Sequence, residues 1–169
     1  MGNRTSRKVG TAAADTFAYD AMDRLVRAAY PGGQVFTFSY DLAGRLLSQT
    51  SYQGNTWNYT YDAHDLPTSE TLVLKSPART YSFRYTYNAL DRLQSITYPS
   101  GLAVDHAPDA YGRATRAGSF ASALAYHPDG QLSSLTYGNG RKLTVAQDSR
   151  RLRVTERQVG GPDMPMRLR

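Results

Sequence analysis

The three histidines, His64, His106 and His127, are the side chains of this sequence best suited to acid–base chemistry or metal binding. They lie far apart in the chain, without the spacing of a metal-binding pair. No nucleophile stands in a recognisable elbow motif. His64 and His127 fall inside short turn motifs, and His106 comes just before another. We therefore predict turn and surface histidines, no catalytic residue and no enzymatic activity.

A series of aspartates offers a second kind of chemistry, the binding of calcium by carboxylate oxygens. Its members are Asp20, Asp41, Asp62, Asp109 and Asp129. A calcium loop gathers several oxygen ligands within one turn, whereas most of these turns hold one or two acids beside an arginine. Those arginines are Arg24, Arg45, Arg92 and Arg113. We interpret the aspartates as hydrogen-bonded turn residues and predict neither a metal nor a cofactor.

Aromatic side chains offer a third possibility, because tyrosine and tryptophan present flat apolar faces with polar edges to sugars. Trp57, Tyr59 and Tyr61 are the first candidates for glycan stacking. The same alternating aromatics are what paired strands need to bury a common face. The sequence leaves both interpretations open and favours the structural one.

The elements that position these residues are repeats of about 21 residues. Tyr19–Leu25, Tyr40–Leu46 and Tyr87–Leu93 share the pattern Tyr-Asp/Asn-x-x-Gly/Asp-Arg-Leu. Weaker copies bring the starts to residues 19, 40, 61, 87, 108 and 126, and a seventh, worn copy lies near Asp148–Leu152. A second turn signal, such as Tyr98-Pro99-Ser100-Gly101, stands about eleven residues into several copies. Each repeat therefore contains two turns.

The residue types fit two particular turns. The aspartate can accept hydrogen bonds from amides further along the chain and close an Asx-type turn. The fifth position then suits a left-handed residue, which glycine adopts without steric cost and aspartate tolerates. Gly44, Gly112 and Gly130 stand at that position, and Asp23, Asp65 and Asp91 replace glycine in the other copies.

Between the turns the pattern has period two, which is typical of half-buried strands. Phe36, Phe38 and Tyr40 alternate with smaller or polar residues, as do Trp57, Tyr59 and Tyr61. We predict an all-β fold of consecutive antiparallel β-hairpins, one for each repeat, in a twisted, spiral sheet or partial shell. The longer interval after the third start, which contains Leu72–Ala78, predicts a longer strand and loop in one hairpin.

The net charge of +6 is confined to the two ends of the chain. Residues 11–146 hold eleven basic and eleven acidic side chains, whereas residues 1–10 hold three basic residues and residues 147–169 hold six arginines against three acids. A nucleic-acid interface would concentrate basic residues on the folded unit, so we expect no nucleic-acid partner. We predict a loose basic tail over 1–14, a repeat array over 15–157 and a second loose basic tail over 158–169.

No stretch of the sequence approaches the roughly 20 apolar residues of a spanning helix, so we predict no membrane-spanning segment. No apolar region follows the basic residues near the N-terminus, so we expect no signal peptide in this chain. The absence of cysteine excludes disulfides and thiolate metal sites.

The Tyr-Asp-x-x-Gly-Arg-Leu turn, the Tyr-Pro-x-Gly turn and the aromatic strand between them resemble the YD repeats of Rhs proteins. Teneurins and the toxin-enclosing subunits of insecticidal toxin complexes share this pattern, which covers roughly residues 17–157 here. The resemblance implies a β-sheet wound into a hollow shell, often around a C-terminal toxin domain. It also implies secretion or cell-surface display in bacterial competition or host interaction, as part of a larger exported protein. This chain has only six or seven repeats and no segment resembling the family's self-cleaving core.

We therefore expect a non-enzymatic structural module that helps to enclose or display a toxin or effector domain. Its partners would be further YD repeats or that domain. The alternative is a surface module that binds carbohydrate or a receptor through its aromatic strands. Because the first and last strands would present unpaired edges, we also expect self-association.

Overall fold

The computed structural model describes residues 2–8, 10–11, 13–148, 150–161 and 166–168. The described residues form fifteen strands and no helix, which confirms the predicted all-β fold of consecutive antiparallel hairpins. The strands are β1 (Ser6–Arg7), β2 (Asp15–Tyr19), β3 (Leu25–Tyr30), β4 (Gln34–Tyr40), β5 (Leu46–Thr50), β6 (Thr56–Tyr61), β7 (Pro67–Lys75), β8 (Ala78–Tyr87), β9 (Leu93–Thr97), β10 (Ala103–Asp105), β11 (Ala121–Tyr126), β12 (Leu132–Tyr137), β13 (Lys142–Gln147), β14 (Val154–Gly160) and β15 (Met166–Leu168).

The chain divides into two compact units, Met1–Arg84 and Tyr85–Arg169. In the first unit, strands β1 to β8 pair antiparallel in chain order. In the second unit, β9 pairs with β10, and β11 to β15 form a five-stranded sheet, again in chain order. The strands alternate between two kinds. An approach strand ends at a YD turn, and an exit strand begins after one.

Strands occur within both predicted tails, and the long third repeat forms two long strands. β1 lies within residues 1–14, and β15 lies within residues 158–169, although neither segment carries a strand signal in the sequence. The interval between the third and fourth repeats forms two long strands, β7 with nine residues and β8 with ten. They are joined through Ser76 and Pro77, so the extra length lies in the strands and the connecting loop is short.

Each of the three YD turns of the first unit is followed by a β-bulge that the sequence does not indicate. Ser39 pairs with Ser48 and Tyr40 with Leu46, which leaves Leu47 as an extra residue. The same shift leaves Val26 unpaired after the first turn and Thr68 after the third. A bulge at the same place in these three repeats strengthens the local twist of the sheet in the same way each time.

The two faces of the sheet in the first unit differ in chemistry. One face, which we call the aromatic face, carries Phe36, Phe38, Trp57, Tyr59 and their cross-strand neighbours. The other carries hydroxyl groups that hydrogen-bond across strands, as in Ser39–Ser48 at 2.7 Å and Thr71–Ser82 at 3.0 Å. Directly opposite residues share a face, so this division follows from the register.

Little of the described chain is fully buried. Its buried apolar side chains are Ala28, Val104 and Val145, and most aromatic side chains are half-buried. Neighbouring strands cover the flanks of each side chain and leave the sheet face partly open. The length of the chain would permit a sizeable core, but the stability of these units has to come largely from contacts along the sheet and at its turns.

Candidate functional site: the clamped turns and the aromatic face

The YD turns share one backbone geometry. In the second repeat, the Asp41 amide donates to Arg45 O at 3.0 Å and the Gly44 amide donates to Asp41 O at 3.1 Å. The same pair of hydrogen bonds recurs in turns starting at Asp20, Asp62, Asn88, Asp109 and His127. The turn near Asp148 is one residue longer, since its amide donates to Arg153 O at 2.9 Å.

Side chains close these turns as the sequence predicts. Oδ1 of Asp20 accepts from the amides of Met22 and Arg24 at 2.9 and 3.0 Å. Asp62, Asn88 and Asp109 accept from the same two relative positions. The fifth position is left-handed, with φ of 89° at Gly44 and 61° at Asp23. The predicted Asx-type turns and their left-handed residues are therefore confirmed.

An arginine at the sixth position binds the turn aspartate through its side chain. Arg24 Nε donates to Asp20 Oδ2 at 2.7 Å, and Arg45 Nε donates to Asp41 Oδ2 at 2.6 Å. Arg113 Nε donates to Asp109 Oδ2 at 2.8 Å in the second unit. These charge-assisted bonds fix the direction in which each guanidinium points.

Each guanidinium then reaches forward to the next repeat. Arg24 Nη1 donates to Asp41 O at 2.7 Å, and Arg45 Nη1 donates to Asp62 O at 3.0 Å. Arg45 also pairs with the Asp65 carboxylate at 2.7 Å. In the second unit, the Arg92 side chain passes so close to the following turn that a Cβ at Gly112 would lie 3.0 Å from its Cδ.

For Arg24, Arg45 and Arg113 the tyrosine that opens the next repeat completes the contact. The guanidinium of Arg45 lies 4.9 Å from the Tyr61 ring centroid, and the Tyr61 hydroxyl donates back to Leu46 O at 3.0 Å. Tyr40 makes the same contacts with Arg24 and Leu25. Tyr126 makes them with Arg113 and with Ala114 O. We call this Asp–Arg–Tyr arrangement the forward clamp.

The forward clamps lower the pKa values of the turn aspartates. Hydrogen bonds from the backbone and side chain of Arg24 lower the pKa of Asp20. Partial desolvation would raise the pKa of Asp41, but the bonds from Arg45 outweigh it and the pKa is lowered. The side-chain bond from Arg113 lowers the pKa of Asp109. These carboxylates are charged hydrogen-bond acceptors at neutral pH, which suits a structural role and not a proton donor.

Two turns lack an arginine at the sixth position. Leu66 stands there in the third turn, which therefore has no guanidinium to contact the next repeat. In the turn at residue 126, His127 replaces aspartate and its Nε2 lies 2.8 Å from Val145 O. The Gln131 side chain donates to Leu152 O at 3.3 Å, and Gln147 donates to Asp129 at 2.5 Å. That turn is linked to the next by neutral amides.

The structure places the three histidines in three different connecting segments. The His64 amide donates to Asp62 in the third turn, and His127 lies in the second unit's substituted turn. His106 follows β10, and its buried Nε2 has no hydrogen-bond partner within the described chain. No group of three or more histidine, cysteine or acidic residues could hold a metal ion among the residues that the structure describes. The absence of a catalytic residue stays a prediction.

The structure places the three predicted stacking residues in different environments. Tyr61 belongs to a forward clamp, which occupies one side of its ring and its hydroxyl. Trp57 lies with Phe36 and Phe38 around a cavity of about 180 Å³. Tyr59 lies opposite Glu70, and desolvation together with this carboxylate raises the pKa of its hydroxyl. Trp57 and Tyr59 therefore remain the candidates for stacking.

Sequence reasoning missed two polar side chains beside these aromatics. Gln49 lies opposite Trp57, and Glu70 lies opposite both Tyr59 and Phe83. Their positions depend on the register between strands from different turns. The two-residue period of β5, which contains Gln49, and of β7, which contains Glu70, is the signal that could have placed them on the aromatic face.

These features define a β-hairpin repeat protein, and the comparisons agree. Residues 40–77 match the sequence model of the RHS Repeat family, which confirms the predicted resemblance to Rhs repeats. The crystal structure of TcdB2-TccC3-TEV is similar with a TM-score of 0.59 and 14% identity over 99% of this chain. That of TcdB2-TccC3 gives a TM-score of 0.57 with the same identity and coverage. At this identity the likeness is one of fold.

The chain spans only 11% of the length of each of those two solved chains. No curated protein sequence matches it significantly. In the part of the chain that the structure describes, no helix is long and apolar enough to cross a membrane.

Proposed function

We propose that the repeat array over residues 15–157 is a non-enzymatic structural module, part of an Rhs-type β-shell that encloses or displays a toxin or effector domain. Its partners would be further YD repeats or that domain. It would act outside the producing cell or at the cell surface, within a larger exported protein. The mechanism is enclosure by stacked hairpins, without bond chemistry.

The observation that carries this proposal is the forward clamp. In three repeats a guanidinium held by its own turn at 2.6–2.8 Å contacts the tyrosine that opens the next repeat, and these arginines are Arg24, Arg45 and Arg113. Such a contact links each repeat to its neighbour alone, which is how repeat arrays extend without a central core. The same carboxylates that a hydrolase would need are occupied in holding the stack together.

The small amount of full burial also supports a role within a larger assembly. Each unit keeps aromatic side chains half-buried on a sheet face and has few buried apolar residues of its own. A module of this kind gains stability when further repeats or an enclosed polypeptide cover what it leaves open.

The test begins with the DNA on both sides of the coding sequence, translated in all frames. We expect further Tyr-Asp repeats and a distinct domain after them. In that longer protein, the domain should resist limited proteolysis until the repeats unfold, whereas the separately expressed domain is digested freely. Flanking DNA without repeats or a further domain would contradict the proposal, as would a domain digested equally fast in both contexts.

A second candidate function is carbohydrate or receptor binding at the aromatic face. Its support is the neighbourhood of Trp57 and Tyr59, where an amide and a carboxylate lie directly opposite two aromatic rings. Aromatic stacking with hydrogen bonds from nearby polar groups is the chemistry by which proteins hold sugars.

Trp57 is the single tryptophan of the chain, so its fluorescence reports on this face directly. Titration with neutral and acidic oligosaccharides should change the emission and saturate if the face binds glycans. Trp57→Phe should weaken that binding in a label-free assay, while Phe17→Leu, on the same unit away from Trp57, should not. Unchanged emission with every sugar would contradict this candidate.

A further inference from the structure

The fourth position of the YD turns carries two unusual residues in neighbouring turns of the second unit. In three other turns this position holds Met22, Ala43 or Leu90, and all three are exposed. In the turns that begin at residues 108 and 126 it holds Tyr111 and Asp129 instead. Ala43 shows that a methyl group is enough at this position, so the fold of the turn requires neither the tyrosine ring nor the carboxylate.

Tyr111 and Asp129 line the same open cavity, which has a volume of about 560 Å³. Both turns contribute to its walls, and the remaining lining residues are Arg113, Tyr126, His127, Pro128 and Gly130. The cavity therefore lies where one repeat meets the next, beside the forward clamp of Arg113.

Arg113 differs from the other clamp arginines in the part of its guanidinium that stays unbonded. Arg24 and Arg45 each use Nη1 to donate to a carbonyl of the next turn. Arg113 directs Nε and Nη2 to Asp109 Oδ2, at 2.8 and 2.7 Å. Its Nη1 has no hydrogen-bond partner in the part of the chain that the structure describes. The cavity is thus lined by a fixed guanidinium with a donor to spare.

Two aromatic rings hold this guanidinium. Its central carbon lies 4.8 Å from the centroid of the Tyr111 ring and 4.7 Å from that of Tyr126. The Tyr126 hydroxyl is bound to Ala114 O at 2.6 Å, whereas the Tyr111 residue is 79% exposed. Most of the Tyr111 ring therefore remains open to a ligand in the cavity.

His127 and Asp129 add hydrogen-bond acceptors. His127 Nε2 lies 2.8 Å from Val145 O, and because a carbonyl only accepts, Nε2 carries the proton and Nδ1 of the neutral ring is an acceptor. The Gln147 side chain and the Gln131 amide donate to Asp129 and lower the pKa of its carboxyl group. These two bonds leave the carboxylate with further lone pairs, since it accepts about four hydrogen bonds.

We propose that the cavity between Tyr111 and Asp129 is a binding site for a neutral saccharide. A sugar hydroxyl both donates and accepts, so one ring can accept from Arg113 Nη1 and donate to the Asp129 carboxylate. The apolar face of the same sugar ring then packs on Tyr111, as aromatic side chains allow. The inference shares its ligand class with the second candidate function, but its site lies in the other unit and uses no residue of the aromatic face.

The charges around the cavity select a neutral sugar over an acidic one. The guanidinium of Arg113 is already paired with the carboxylate of Asp109. Asp129 is held by amide groups and has no ion pair in the described residues, so its negative charge is not cancelled. A second carboxylate on the ligand would be repelled by it.

The experiment is a titration of the full chain followed by the backbone amide resonances of its glycines. The probes are lactose, cellobiose, mannobiose and diacetylchitobiose, with glucuronic acid as the acidic sugar. At least one neutral disaccharide should shift the amides of Gly112 and Gly130 saturably, while Gly140, in the turn between β12 and β13, should not move. Failure of all four to shift Gly112 and Gly130, or an equal shift at Gly140, would overturn the proposal.

Substitutions at the fourth position test the stacking ring. Tyr111→Leu should weaken the binding by about tenfold. Leu90 shows that a turn accepts leucine at this position, so the loss is not one of folding. Tyr111→Phe should keep most of the affinity, and Leu90→Ala, at the same position of another turn, should leave it unchanged. A Tyr111→Leu variant that binds as tightly as the unaltered chain would overturn the proposal.

Asp129→Asn tests the charge selection. The neutral disaccharide should bind more weakly, whereas glucuronic acid should bind more tightly than it does to the unaltered chain. A preference between the two sugars that does not change would overturn the proposal. Trp57→Phe should leave the shifts at Gly112 and Gly130 as they are. The aromatic face and the enclosure of a domain can therefore each fail their own tests without altering these results.

Discussion

The turn at Asp41 and the turn at His127 have the same backbone and different side chains. Both make the same pair of backbone hydrogen bonds and both have a left-handed glycine at the fifth position. Asp41 is bound by a guanidinium that continues to the next repeat, whereas the His127 turn is linked onward by the amide of Gln131. The comparison separates two tasks: the backbone pattern makes the hairpin, and the charged clamp strengthens the link between hairpins.

The largest loss of stability should come from substituting the left-handed glycine that the two turns share. Gly44 and Gly130 have φ of 89° and 86°, where a β-branched side chain is strained. We expect Gly44→Val and Gly130→Val each to lower the free energy of unfolding by about 2 kcal/mol. Urea unfolding measures this, with Gly44→Asp as the control, since aspartate occupies the same position in three other turns. A valine variant as stable as the unaltered chain would contradict the assignment.

Removing the side chain that links each turn to the next repeat should cost the Asp41 turn more stability than the His127 turn. Arg45→Met loses two ion pairs, a contact with the Tyr61 ring and a bond to the next turn, whereas Gln131→Met loses one long amide bond. We expect Arg45→Met to lower the urea midpoint more than Gln131→Met does. Added salt should shrink the first effect and leave the second alone, because only the first involves charges. Equal losses with equal salt dependence would show that the clamp is not electrostatic.

Acid should destabilise the turns that are held by forward clamps. The pKa values of Asp20, Asp41 and Asp109 are lowered in the folded chain, so their contribution to stability is complete above the ordinary aspartate value of 3.8. It is lost as pH falls through the lower folded values. The urea midpoint should therefore fall below about pH 4. Asp41→Asn should be less stable at neutral pH and lose less on acidification. A variant with the same acid profile as the unaltered chain would contradict this cause.

The smallest effect should come from the tyrosine hydroxyl. Tyr61→Phe removes one hydrogen bond to Leu46 O and keeps the ring under Arg45, so we expect a loss of about 1 kcal/mol. Tyr59→Phe, on the same face of the same strand and outside any clamp, is the matched control and should cost less. The opposite order, measured by urea unfolding, would show that the hydroxyl bond does not stabilise the stack.

The local part of this architecture could be predicted from the sequence, because the chemistry of a turn is contained in five or six consecutive residues. The residue types of Gly44 and Asp23 predict their left-handed conformation, and the alternation around Phe36 predicts a strand. The long-range part could not be predicted in the same way. Nothing about Leu47 marks it as a bulge residue, and nothing local to Arg45 indicates that it reaches residues 62 and 65.

The ends of the array illustrate the same limit. Asn3 and Ser6 lack the aromatic and glycine signals that identify the repeats, so the sequence predicts a loose tail over residues 1–14, and that boundary stays a prediction. The pairing of Ser6 with Thr16 and the bond from the Tyr19 hydroxyl to Arg4 O are contacts that only the register reveals. Of the predicted stacking residues, Tyr61 differs from Trp57 and Tyr59 because its hydroxyl donates a hydrogen bond to the carbonyl of Leu46, fifteen positions earlier in the chain.

The most direct test of the forward clamp is a double-mutant cycle between Arg45 and Tyr61, measured by urea unfolding. Arg45→Met and Tyr61→Leu are combined, and Arg45→Met with Tyr59→Leu serves as the control pair. If the clamp links successive repeats, the first pair should be clearly non-additive because the two side chains touch, and the control pair should be additive. Additive losses for Arg45 and Tyr61 would mean that the guanidinium and the ring do not stabilise each other, and the account of stacked, clamped repeats would be wrong.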